Sequence, residues 1–137
     1  MPGDNKSFSY YGYGPDQSYC DMHRHTTVDL YESDMDAAYA PYVRPQEHGN
    51  HYGTKMLQIG DLQFTGEAFE CNVSKYSTAA LTQAEHTDEL LADGLTHVRV
   101  DYKNSGIGSN SCGPLLDPKY RLDEQEINFT ISFRPVR

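Results

Sequence analysis

Residues 127–133 read INFTISF, with an apolar side chain at every second position. Successive side chains of a β-strand point to opposite faces of a sheet, so this pattern predicts a strand with one buried and one solvated face. Residues 96–102 read THVRVDY and alternate in the same way. We therefore expect at least two strands toward the C-terminus.

Shorter strands are predicted along the rest of the chain, between turns rich in Gly, Pro and Asn. They cover residues 9–13, 26–31, 55–59 and 69–73. One helix is predicted at residues 78–85, where alanines favour a helix and Ser77 can serve as its N-cap. Short strands with one brief helix predict an all-β fold, a β-sandwich.

The length of 137 residues suits a single domain. The first residues are small and polar, and we expect residues 1–8 to form a frayed N-terminus. Residues 9–137 are then predicted to form the folded domain.

The charge balance argues against two classes of partner. The formal net charge is −9, whereas phosphate groups and anionic membrane surfaces attract basic patches. No run approaches the roughly 20 apolar residues of a membrane span, and the N-terminus lacks a secretion-signal pattern. We expect a soluble protein with no nucleic-acid and no membrane partner.

The three cysteines are Cys20, Cys71 and Cys112. Their odd number and their spacing, without a C-x-x-C pair, indicate neither a disulfide framework nor a zinc site. The cysteine pattern therefore predicts reduced thiols and a cytoplasmic location.

A glycosidase active site within this chain is disfavoured. A retaining glycosidase needs two carboxyl groups about 5 Å apart in a cleft. The candidate acids are Glu47, Glu67, Glu70, Glu85 and Glu89. Only Glu47 lies in a strongly shaped loop, and nothing in the sequence pairs it with a second acid. We expect these glutamates to be solvated surface acids and the isolated chain to hydrolyse nothing.

Two histidine patterns have spacings that metal sites use, His23-x-His25 and Glu47-His48-x-x-His51. Alternate residues of any strand share a face, so such a spacing arises easily by chance. Polar surface or hydrogen-bonded loop histidines are the preferred interpretation, and no metal site is predicted.

Four segments carry a resemblance to a known family. They read YYGYGPDQSYCDM (residues 10–22), PYVRPQEHGNH (41–51), VSKYSTAALTQAEH (73–86) and DYKNSGIGSNSCGP (101–114). In this order they resemble the C-terminal domain of the large bacterial β-galactosidases of glycoside hydrolase family two, and the separate small subunit that some of these enzymes have. Gln17 stands where the family usually has Glu, and Met22 where it usually has Arg.

The resemblance implies a galactose-mutarotase-like β-sandwich, a supersandwich, of which this chain is similar to the C-terminal half. In such enzymes the catalytic glutamates lie on a separate barrel domain or large subunit, and Mg and Na are bound elsewhere. We therefore expect an accessory, non-catalytic part of an enzyme for lactose-type β-galactosides, with no cofactor on this chain. Its expected role is to shape the sugar pocket and brace the barrel.

The resemblance also implies a substrate contact. The family sends one loop into the galactose pocket, and in some members it carries a Trp where Cys112 stands here. Asn110 and Ser111 can hydrogen-bond sugar hydroxyls, so Asn110, Ser111 and Cys112 are the predicted substrate-binding residues. The alternative is that this Gly/Ser/Pro loop only satisfies its own backbone groups.

Two other functions stay open at this point. The 11 tyrosines suit a stand-alone carbohydrate-binding module. Sugar epimerisation needs a His base facing a Glu, and His51 with Glu47 is the pair to test. Because half a sandwich exposes strand edges and apolar surface, we also expect self-association or pairing with another chain.

Overall fold

The computed structural model describes residues 6–108 and 115–136. In these ranges six strands form one antiparallel sheet, in the order β2-β1-β3-β4-β5, with β6 beside β4. The strands are β1 (Ser7–Gly14), β2 (Thr27–Asp34), β3 (His51–Ile59), β4 (Leu62–Ser74), β5 (His97–Asp101) and β6 (Ile131–Pro135). The predicted all-β class is confirmed, because the regular structure in these ranges is one antiparallel sheet with a single short α-helix and two 3-10 turns.

The single α-helix, α1, spans Thr78–Gln83. Ser77 is its N-cap, because the Ser77 hydroxyl accepts a hydrogen bond of 3.1 Å from the Ala80 amide. The helix ends before residue 85, since Ala84 turns to an extended backbone conformation. Short 3-10 turns lie at Thr87–Glu89 and Pro118–Tyr120. Among the described helices none has the length and apolar character needed to cross a bilayer.

Strand β1 begins inside the segment that was expected to be frayed. Ser7 pairs with Asp34 of β2, and the Phe8 side chain is buried in the core. Phe8 and Tyr10 lie two residues apart and so share a face of the strand. The ordered sheet therefore starts before residue 9, because burial of Phe8 extends the strand.

The hydrophobic core lies on one face of the sheet. Tyr10 of β1 is opposite Leu57 of β3, which is opposite Phe64 of β4. The buried cluster contains Phe8, Tyr10, Met35, Leu57, Ile59, Phe69, Cys71 and Val73. Burial of a large apolar side chain contributes about 1.5–3 kcal/mol, so this face dominates the stability of the sheet.

Strand β4 organises the sheet because it is long enough to hold two partners on one edge. Its first residues pair with β6 and its last residues pair with β5, while β3 runs along the other edge. The pairing with β3 shifts register near Thr54, and Gly53 there has φ +60°, a conformation that favours glycine. The polar side chains of β4 that lie between core residues face the opposite side of the sheet.

The predicted C-terminal strand is shifted along the chain. It was expected at residues 127–133, but β6 starts at Ile131 and continues to Pro135. The Phe133 side chain is 71% exposed, whereas Ile131 packs partly buried against the core, so the apolar side of the alternation is only partly buried. Pairing with β4 begins only where Ile131 meets Gly66, and the preceding Phe129 packs against Tyr102 instead.

Candidate functional site

Three of the four resembling segments meet at one buried carboxylate, that of Glu70. Glu70 lies on β4 between the core residues Phe69 and Cys71, so its side chain points to the opposite face. Its residue exposure is only 2%. The prediction of a solvated surface acid is therefore wrong for Glu70.

Amide groups from two other segments surround the Glu70 carboxylate. The Asn104 backbone N–H donates to Oε1 at 3.0 Å, and the Asn104 side-chain amide donates to Oε2 at 3.0 Å. Asn50 Nδ2 donates to Oε2 at 2.5 Å and also to the Ser18 carbonyl at 2.9 Å. Asn104 Nδ2 donates to Asn50 Oδ1 at 3.0 Å, which closes the network. Three distant parts of the chain are thereby tied to β4.

The electrostatics of Glu70 are set by these contacts. Burial raises the pKa of Glu70, and the hydrogen bonds from Asn104 and Asn50 oppose that rise. Asp101, opposite Glu70 on β5, raises the pKa further, although Asp101 itself is ion-paired with Arg99. Because both Glu70 oxygens accept hydrogen bonds from the protein, this carboxylate is suited to holding segments together rather than to attacking a substrate.

Gln17 and Ser18 join the first motif to the second. The Gln17 side chain accepts from the Gly49 amide at 2.8 Å and donates to the Tyr42 hydroxyl at 2.9 Å. The Gln17 side chain thus uses both its acceptor and its donor to join the two motifs. Ser18 is fully buried, and its amide donates to the Asn50 carbonyl at 2.7 Å.

Glu47 pairs with a cation rather than with a second acid. Its Oε1 lies 2.5 Å from Arg99 Nη2, and Arg99 Nε also contacts Asp101. Arg99 sits on β5, so this ion pair ties the second motif to the sheet edge. Among the described residues, the ion-pair partner of Glu47 is therefore a guanidinium and not a second carboxyl group.

His51 is buried and does not meet Glu47. Its ring stacks on Tyr10 with centroids 3.9 Å apart, and neither ring nitrogen makes a hydrogen bond of normal geometry. Burial lowers the pKa of His51 to about 4, opposed only in part by the backbone of Tyr13. The pair that epimerisation would need is not brought together.

The other histidines of the two patterns bond to backbone carbonyls. His23 Nδ1 lies 3.0 Å from the Tyr19 oxygen, His25 Nε2 lies 3.2 Å from that of Gln17, and His48 Nδ1 lies 2.7 Å from that of Gln46. Within residues 6–108 and 115–136 no three His, Cys, Asp or Glu side chains form a group that could hold a metal ion.

The predicted substrate-binding residues Asn110, Ser111 and Cys112 lie outside the described residues. The two limbs that lead into and out of this loop are described, and they are fastened to each other. The Gly106 amide donates to the Tyr120 carbonyl at 3.2 Å. The Leu122 amide donates to the Ser105 hydroxyl at 3.3 Å. We call residues 104–108 and 115–122 the loop neck.

Asp21 holds the first limb of the loop neck. Its Oδ1 accepts from the Ile107 amide and its Oδ2 from the Gly108 amide, each at 3.1 Å. Asp21 belongs to the first motif, so the start and the end of the resembling region meet here. Carboxylates therefore bind both ends of this limb. Glu70 accepts a hydrogen bond from Asn104, and Asp21 accepts hydrogen bonds from residues 107 and 108.

An aromatic groove opens on the face of β3 and β4 that carries Glu70. Its volume is about 1090 Å³. Ring pairs line it, with centroids 5.6 Å apart for Tyr13 and Tyr52 and 5.4 Å apart for Tyr102 and Phe129. Lys55 is among the polar residues of its wall. Ring faces beside charged groups are the features that bind the apolar and polar sides of a sugar.

Sequence reasoning missed Glu70, Asn104 and Asp21 as organising residues. The available signal for Glu70 was its place between two apolar residues in a predicted strand, where polar and apolar side chains alternate. No local pattern indicates that an amide 20 residues before it and another 34 residues after it satisfy it.

The chain is similar to the β-galactosidases. A family model described as "Beta galactosidase small chain" matches residues 1–133. A β-galactosidase of Actinobacillus pleuropneumoniae is 40% identical over 127 residues, covering 90% of this chain and 13% of that protein. One of Staphylococcus xylosus is 34% identical over 141 positions, covering 99% of this chain and 14% of that protein. The chain thus spans 13 to 14% of the length of these relatives.

Proposed function

We propose a function on the premise that this chain belongs to the β-galactosidase small-chain family. It is an accessory, non-catalytic part of an enzyme that hydrolyses terminal β-galactosides such as lactose. It shapes the sugar pocket and braces a catalytic barrel that another domain or subunit supplies. The observation that carries this proposal is the Glu70 network, which joins three of the four resembling segments into one support for the loop neck.

The state of the carboxylates supports a non-catalytic role. Glu70 accepts hydrogen bonds on both oxygens, Glu47 is ion-paired with Arg99, and Asp21 is bound to two backbone amides. A glycosidase acid and its nucleophile must instead face a bound sugar. These acids stabilise the arrangement of the chain, and the chemistry belongs to the barrel.

The loop between the two limbs of the neck is the proposed contact with galactose. Asn110 and Ser111 would hydrogen-bond sugar hydroxyls, and Cys112 would stand at the rim of the pocket. The hydrogen bonds at residues 104–108 support this, because a specificity loop needs a rigid base. The proposal assigns no cofactor to this chain.

The partner in this proposal is the barrel domain or large subunit of the same enzyme. A cytoplasmic location is part of the proposal, supported by the free thiols of Cys20 and Cys71. Relatives about seven times longer than this chain, by the 13 to 14% coverage, are consistent with further domains in the working enzyme.

Hydrolysis by the isolated chain tests this division of labour. Purified chain is incubated with a chromogenic β-galactoside, beside the variants Glu47→Gln and Glu70→Gln. We expect all three proteins to match the buffer rate. Hydrolysis by the unmodified chain that either substitution abolishes would place the reaction on this chain and contradict the proposal.

The aromatic groove favours one second candidate, a stand-alone carbohydrate-binding module. Lactose titrated into the chain by calorimetry tests it, with Tyr52→Ala removing a groove ring and Tyr11→Ala removing a ring outside the groove. Sub-millimolar binding that only Tyr52→Ala abolishes would establish the module. The accessory role predicts no detectable binding by any of the three proteins.

A further inference from the structure

We propose that Asp21 is a positioning residue for the loop between the two limbs of the neck, which we call the sugar-pocket loop. Asp21 fixes the backbone of residues 107 and 108, from which this loop starts. The inference rests on the proposed function for its catalytic consequence, and on the geometry of residues 106–108 for its structural part. Asp21 lies in the first motif, more than 80 positions from the loop neck in the chain. It is therefore a distant residue whose substitution is expected to act on the loop.

The contact uses both oxygens of the carboxylate. Oδ1 accepts the Ile107 N–H and Oδ2 accepts the Gly108 N–H, at 3.1 Å each. Two successive backbone amides that point at one anion form a small anion-binding concavity. Hydrogen bonds to a charged acceptor are roughly twice as strong as neutral ones, so this contact holds the limb at the end nearest residue 109.

Gly106 makes room for the carboxylate. A β-carbon at position 106 would overlap the Asp21 carboxylate, so a larger residue there must displace it. At Gly108 a β-carbon would lie 3.4 Å from Asp21 Oδ2, which is ordinary contact. The two glycines of the Gly-Ile-Gly sequence thus have different roles, and only Gly106 is required by the position of Asp21.

Other contacts fix the beginning of the same limb but not its end. The Asn104 amide donates to Glu70, and the Gly106 amide donates to the Tyr120 carbonyl. In the described part of the chain, the backbone amides of residues 107 and 108 donate their hydrogen bonds to Asp21. Removal of the Asp21 carboxylate should therefore free residues 107 and 108 while Asn104 stays in place.

Amide hydrogen exchange, measured by NMR on the whole chain, tests the positioning. Asp21→Asn removes the charge and leaves one acceptor for two amides, and Asp123→Asn changes an exposed acid as the matched control. We expect exchange at Ile107 and Gly108 to rise roughly tenfold or more in Asp21→Asn, with core amides such as that of Leu57 unchanged. Unchanged exchange at these two amides, or equal acceleration at Leu57, would overturn the inference.

The two glycines provide a second, independent comparison. Gly106→Ala should accelerate exchange at Ile107 by displacing Asp21, whereas Gly108→Ala should leave Ile107 exchange near the value of the unmodified chain. Equal behaviour of the two variants would contradict the assigned role of Gly106.

The catalytic consequence is measured after mixing the chain with a β-galactosidase fragment that carries the barrel but lacks the matching segment. We expect Asp21→Asn to lower kcat/KM at least about tenfold relative to the unmodified chain, because loop misplacement weakens transition-state contacts. Unchanged kcat/KM for Asp21→Asn would overturn the inference. No activity with the unmodified chain would instead overturn the proposed function, and the exchange experiment would still decide the role of Asp21.

Discussion

His51 is a buried histidine whose surroundings disfavour the protonated, charged form of the ring. It stacks on Tyr10 in the core, and its nitrogens make no normal hydrogen bond. Its pKa falls from an ordinary value of 6.5 to about 4 in the folded chain. Above pH 6.5 both folded and unfolded chains hold it neutral. Between pH 6.5 and 4 only the unfolded chain binds the proton, so the free energy of unfolding decreases as the pH falls.

The corresponding prediction concerns acid stability. Between pH 7.5 and pH 5, His51 should lower the free energy of unfolding by about 2 kcal/mol, and His51→Phe should remove this part of the pH dependence. Urea denaturation at the two pH values measures it. His25→Gln, at an exposed histidine, is the control. A pH dependence unchanged in His51→Phe would contradict the burial of this ring.

At the scale of single residues, the sequence indicated which segments carry the important polar side chains, but not which of these side chains are buried or what they bind. The motif around residues 41–51 contains Asn50 and His51, and both are buried in the structure. Glu70 could not be predicted as buried, because glutamate is rarely buried unless it is paired and its partners come from other segments. Burial of a charge depends on the assembled network, which a single sequence does not display.

The secondary-structure elements differ in whether nearby or distant residues determine where they begin and end. The start of helix α1 was predicted correctly because its N-cap and its alanines act within a few residues, whereas the helix ends two residues earlier than predicted. Strand β6 was predicted with the wrong start because its limits depend on pairing with β4, far away in sequence. Alternation indicated a strand in this region, but only the partner strand decides which residues pair.

Helix α1 provides a prediction at the scale of an element. Ser77→Ala removes the acceptor for the Ala80 amide and should lower the free energy of unfolding by about 1 kcal/mol. Thr78→Ala, at an exposed position of the same turn, should change it far less. Urea denaturation compares the two variants. A loss no larger for Ser77→Ala than for Thr78→Ala would show that the cap contributes nothing.

On the scale of the whole molecule, the outer edge of the sheet is exposed. Strand β2 pairs only with β1 in the described part of the chain, and its residue Leu30 is 60% exposed. Leu30 is opposite Tyr11 of β1, which is also exposed, so the two form an apolar patch beside the free strand edge. Such an edge is a template for pairing with another chain.

The patch predicts concentration-dependent self-association of the isolated chain. Sedimentation velocity measures it, and raised salt should strengthen it because salt screens the net charge of −9. Leu30→Lys should shift the chain toward the monomer. Val43→Lys, at a residue that is 97% exposed in a loop, should not. A monodisperse monomer at all concentrations would contradict self-association through the β2 edge.

The most direct measurement of the accessory role is a mixing experiment with β-galactosidase. A relative such as the Actinobacillus pleuropneumoniae enzyme is shortened by the segment that this chain matches, and hydrolysis of a chromogenic β-galactoside is recorded before and after addition of this chain. We predict little hydrolysis from either protein alone and a rate that rises and saturates as the chain is added. Hydrolysis by the chain alone, or no gain when a stable complex forms, would contradict the account.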